Sequence, residues 1–85
     1  MARTMKELAV QVLSVQNASN INVVHAFSES LKDLRELLPK ASSRDVNRHP
    51  IMQLWASKVH DLAGLGMSDA EEFGKAYEAV QELAK

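Results

Sequence analysis

Apolar residues recur at steps of three and four along most of this chain, a spacing that collects side chains on one face of an α-helix and scatters them over both faces of a strand. The strongest stripe is Val24, Phe27, Leu31, Leu34 and Leu38. Before it, Met5, Leu8, Ala9, Val12 and Val15 repeat the pattern, with Leu13 at its margin. After it come Ile51, Leu54, Trp55, Val59 and Leu62, where the Lys58 stem can lie alongside, and then Ala70, Phe73, Ala76, Tyr77, Val80, Leu83 and Ala84. Each stripe predicts an amphipathic helix with one buried face.

Local chemistry sets the ends. Thr4 and Glu7 form a capping box, so the first helix starts at Met5 and fades near Asn17, where Asn17-Ala18-Ser19-Asn20 competes for backbone hydrogen bonds. The Asn17-Ala18-Ser19 triplet also matches a glycosylation acceptor, and is read here as the helix-ending turn. Ser19 or Asn20 caps the second helix, and Pro39 stops it. Residues 40–49 are the longest stretch without period; they read as an ordered loop that admits one helical turn after Ser43. Asn47 has the chemistry of the next cap, with Pro50 in the first turn and Gly64 at the end. Ser68-Asp69-Ala70-Glu71 is a second capping box. The predicted helices therefore span about 5–17, 21–38, 48–63 and 69–84. Gly74 falls inside the last, where glycine costs about 1 kcal/mol relative to alanine, and is read as allowing another helix to approach closely.

Eighty-five residues, 46% apolar and 25% charged, suit one domain spanning 1–85. A chain of this size buries only about 60% of its unfolded surface, which makes self-association an expectation alongside a lone fold. The predicted class is all-α: a small antiparallel bundle of four amphipathic helices, complete by itself or as half of a homodimer. Without cysteine there is neither disulfide nor thiolate site, so packing must supply the stability. Apolar runs such as Val23-Val24 and Leu37-Leu38 fall far short of the roughly 20 residues that cross a bilayer. The segment Met1–Glu7 leads into an amphipathic helix instead of an apolar signal region, and the expected location is cytoplasmic.

Charge is balanced overall, at −1, but unevenly placed. Residues 32–60 set Lys32, Arg35, Lys40, Arg44, Arg48 and Lys58 against Asp33, Glu36 and Asp45, a net +3. Residues 61–85 set six acids against Lys75 and Lys85, a net −4. That layout fits intramolecular or head-to-tail complementarity better than a nucleic-acid platform. A helix-turn-helix reading of the Gly64 junction would open its recognition helix with Asp69, Glu71 and Glu72, which repel phosphate. Nucleic-acid binding through the basic 32–58 region is retained as the alternative function.

Catalytic chemistry finds little support. No pair among His25, His49 and His60 has the spacing that shares a helix face for a metal, and His60-Asp61, being adjacent, diverge by about 100° on a helix and read as surface. His25 reads as a boundary histidine with a hydrogen-bonded ring. Gly64-Leu65-Gly66 lacks the context of a phosphate loop, and no serine sits in a nucleophile elbow. No enzyme activity, cofactor or metal is expected.

The most unusual composition is Asn47 to Trp55, which joins charged, capping, sulfur and aromatic residues. Arg48, His49, Met52 and Trp55 are the candidate partner-binding residues, since arginine, methionine and aromatic side chains are enriched at binding hot spots; in the competing reading Trp55 is a core anchor and Asn47, Arg48 and His49 fix the loop. The strings Val24-His25-Ala26-Phe27, Asn47-Arg48-His49-Pro50 with Leu54-Trp55, and Tyr77-Glu78-Ala79-Val80 resemble small uncharacterised all-helical proteins of phages and other bacterial mobile elements. The resemblance spans most of the chain and carries over no activity and no functional residue. It implies a setting in which such proteins bind and block a host protein, defence components included. The expected function is a non-enzymatic protein-interaction module.

Overall fold

A computed structural model describes residues 3–18, 22–65 and 69–85. Among these residues it is all-helical, with five helices: α1 (Met5–Val15), α2 (Val23–Leu37), α3 (Ser43–Arg48), α4 (Pro50–Leu62) and α5 (Ala70–Leu83). None is long and apolar enough to cross a membrane.

Each helix begins where a side chain can satisfy its free amides. Thr4 Oγ1 accepts from the Glu7 amide at 3.2 Å while Glu7 Oε1 accepts from the Thr4 amide at 3.1 Å, closing the predicted box. These bonds to Thr4 hold the Glu7 carboxyl below its ordinary pKa, so this cap weakens as pH falls through the acid range. Asn22 Oδ1 caps α2 by accepting from His25; the caps proposed for this helix, Ser19 and Asn20, lie outside the described residues. Asp69 Oδ1 caps α5 by accepting from Glu72 at 3.0 Å, and Ser68 likewise lies outside. Gly64 ends α4 as predicted. At φ +74° it lets its own amide reach Asp61 O and the Leu65 amide reach His60 O, pairing two of the last free carbonyls.

The expected four helices become five because residues 40–49 are not one loop. Ser42 and Asp45 form a further capping box, with bonds of 3.1 and 3.4 Å, and nucleate α3. Asn47, the predicted cap of the following helix, lies inside α3, and His49 caps α4 instead. The first two helices are also shorter than expected, ending at Val15 and starting at Val23.

α4 is the hub. It packs against all four other helices, with α2 and α3 on one side and α5 on the other; α1 touches α2, α4 and α5. The core draws on every helix, with Leu8 and Val12, Leu34, Val46, Ile51, Leu54 and Trp55, and Val80 fully buried or nearly so. A radius of gyration of 12.1 Å matches the roughly 12 Å of a compact globular chain this long.

Four of the five residues of the predicted α2 stripe meet the core, Leu34 buried and Phe27, Leu31 and Leu38 packed against it. Val24 is the exception at 70% exposed, and Val23 takes the inward place at the helix start. Leu62 is also exposed, at the last turn of α4. Gly74 sits in the open: a Cβ built on it would meet nothing within 4 Å, so no helix approaches it and the close-packing reading fails. Gly74→Ala is therefore expected to stabilise the protein by about 1 kcal/mol through helix propensity alone, measurable as a higher midpoint in urea with an unchanged slope.

Candidate functional site

The structure divides the four sequence-derived site residues between surface and core. Arg48 closes α3 and is exposed; His49 is half-buried at the α3–α4 corner; Met52 and Trp55 lie on the inner face of α4 with 2% and 0% exposure. Side chains without solvent access cannot form a contact surface, so the proposed patch narrows to Arg48 and His49. Trp55 is the core anchor of the competing reading, and its Nε1 has no hydrogen-bond partner among the described residues.

His49 has a structural task. Its Nδ1 accepts from the Ile51 amide at 3.2 Å, which requires the neutral ring with its proton on Nε2. Burial holds its pKa below the ordinary 6.5. The unfolded chain then binds the proton more tightly, so this contribution is complete above pH 6.5 and declines as pH falls below it. Equilibrium unfolding at pH 7.5 and 5 should show lower stability in acid, and His49→Asn, which keeps a capping group, should remove most of the difference. An equal acid loss in both proteins would assign it elsewhere.

Lys58, with its stem expected alongside the apolar face of its helix, is 4% exposed, head group included in the packing. Its Nζ donates to Gln16 O at 3.2 Å and to Ala18 O at 2.5 Å, the carbonyls just past the last turn of α1. Gln16 Nε2 in return donates to Leu54 O at 2.7 Å. Positive charge at a helix C-terminus is electrostatically favourable, and these bonds lock α1 to α4. His25 pairs with Glu29 at 3.1 Å on an exposed face, and Glu29 also takes Arg3 at 3.3 Å.

The outward face of α4 meets the start of α5 at a groove of about 190 Å³. Gln53, Ala56, Ser57 and His60, spaced as one helical face, form one wall; Asp69, Glu72 and Phe73 form the other. Its volume lies below the roughly 300–1,000 Å³ of small-molecule sites and matches a single long side chain better than a cofactor. Phe73 is steadied by Tyr77, with ring centroids 5.9 Å apart and planes inclined by 37°. Asp69 is occupied as a cap, and Lys75 pairs with Glu71 at 3.6 Å, whereas Glu72 has no ion pair among the described residues. Past the groove the chain turns at Gly64 and leaves Leu65 73% exposed. Sequence reading missed this groove because it places His60 and Glu72 toward water and Phe73 in the inward stripe of its own helix, and nothing local sets these residues side by side.

The basic residues gather elsewhere. Arg44 and Arg48 lie one turn apart on α3, near Arg35 and Lys40 in sequence, and all four are exposed. α3 does not touch α5, and among the described residues no ion pair joins Arg44 or Arg48 to an acid of α5. Comparison with protein-family models, curated proteins and solved structures found no match.

Proposed function

We propose that this chain is a non-enzymatic protein-interaction module that engages its partner through the α4–α5 groove. The supporting observation is the groove itself: α4 completes the core with one face and, with the other, walls an open, aromatic-lined slot with a polar rim. Apolar centres ringed by polar groups are the usual anatomy of protein contact surfaces. The resemblance to phage and mobile-element proteins makes a host protein, such as a defence component, the partner class to test first.

Tagged wild-type protein, recovered from its native host with its partners, should be compared with Ala56→Arg, which fills the groove, and with Val24→Arg, which adds the same charge to an exposed site on α2. Partner recovery is expected for wild type and Val24→Arg and lost for Ala56→Arg. Equal recovery by all three would remove the groove from the interaction, and no specific partner for wild type would overturn the module reading.

The exposed Arg44 and Arg48 face of α3 favours a second reading, an accessory nucleic-acid-binding factor. The burial of Lys58 withdraws one cation from the basic 32–58 region and weakens this alternative. It predicts retention on DNA at low salt that falls steeply as salt rises.

A further inference from the structure

Resting on the groove reading above, we propose that the α4–α5 groove receives an arginine side chain presented by a basic segment of the partner protein. The occupant's charge follows from the rim. Glu72 faces the groove with no ion pair among the described residues, Asp69 adds a second carboxylate, and residues 61–85 carry a net −4. Asp69 is accounted for by its capping bond and the favourable field at a helix start, but that role does not require Glu72 to border an open slot.

Shape selects among basic side chains. The slot holds about one long side chain, and its apolar lining is Ala56 on one wall and Phe73 on the other. An ammonium would find charge there but gain little from the aromatic ring once hydrated. A guanidinium is planar and weakly hydrated, stacks on aromatic faces and can grip a carboxylate with two parallel hydrogen bonds. Ser57 and Gln53 on the opposite wall supply acceptor oxygens for its remaining N–H groups.

The test is an NMR titration of the whole ¹⁵N-labelled protein with the capped tripeptide acetyl-Leu-Arg-Leu-amide, and with its lysine and citrulline counterparts. Citrulline keeps the shape of arginine and removes its charge. Saturable shifts are expected at Gln53, Ser57, His60, Glu72 and Phe73 with the arginine peptide, about five-fold weaker with lysine, and weakest with citrulline. Glu72→Gln should weaken the arginine peptide about ten-fold, as for loss of one charged hydrogen-bond partner, while Glu78→Gln, exposed on the same helix outside the groove, should leave it unchanged.

Shifts spread equally over Glu78 and Glu82, or arginine and lysine binding alike, would reduce the effect to unspecific charge attraction and overturn the proposal. Groove shifts that grow with protein concentration before any peptide is added would assign the slot to the Arg44 or Arg48 of a second copy, and would overturn it too. If the peptides fail here while Ala56→Arg still abolishes partner recovery, the groove remains the interaction surface and the arginine assignment alone is lost.

Discussion

Trp55→Ala is expected to cost about 3–5 kcal/mol, the range for removing a large aromatic side chain from a packed core. Trp55 is wholly buried in the helix that touches all the others, so no neighbouring helix can close the space without moving against a third. A domain of this size has a total stability on the order of 5–15 kcal/mol, so the variant should be largely unfolded near 37 °C, with loss of the cooperative melting transition. Trp55→Phe separates packing from polarity. The indole N–H has no partner among the described residues, so phenylalanine forfeits no hydrogen bond seen there and relieves a desolvated donor, which limits the expected loss to about 1–2 kcal/mol. A Phe variant as damaged as the Ala variant would mean that the indole N–H does have a partner in solution.

The second large effect is at Lys58. Methionine preserves the length of the stem and removes the ammonium, leaving the Gln16 and Ala18 carbonyls without their donor. An unpaired buried carbonyl costs about 1–3 kcal/mol, partly offset because a desolvated charge has gone as well. The net expectation for Lys58→Met is a loss of about 2 kcal/mol, or on the order of 10 °C in Tm. Hydrogen exchange should speed up most in the last turn of α1. Stability within about 0.5 kcal/mol of wild type would show that desolvation cancels the two bonds.

These two residues also show how far the sequence could be read. Period three-and-four spacing identified the inner faces of α1 and α4 nearly residue by residue, since Leu8, Val12, Ile51, Leu54 and Trp55 needed only a helix and a core. Thr4 and Gly64 marked true ends because their chemistry is local. On α2 the spacing held at Phe27, Leu31, Leu34 and Leu38 and failed only at Val24, since Val23 and Val24 are adjacent and alike in apolarity at the start of the helix. α3 was seen only as a single admissible turn, because its box uses Asp45 in place of the longer Glu or Gln.

The site was less legible. Met52 looked like a contact residue by type, but it is buried beside Ile51 in sequence, and side-chain identity does not report burial. Lys58 was read as a stem with a solvated head; its partners lie some forty positions away at the end of another helix, beyond the reach of local pattern. The α4–α5 groove exists only once two separately solvated faces are set side by side.

The same long separation bears on the order of assembly. α4 and α5 are neighbours along the chain and meet at the cost of closing one short loop, whereas the α1–α4 latch of Gln16, Leu54 and Lys58 must close a loop several times longer, at greater entropic cost. That difference makes the latch a late contact, and the expected result is that Lys58→Met speeds unfolding while leaving the refolding rate nearly unchanged, as read from stopped-flow kinetics in urea.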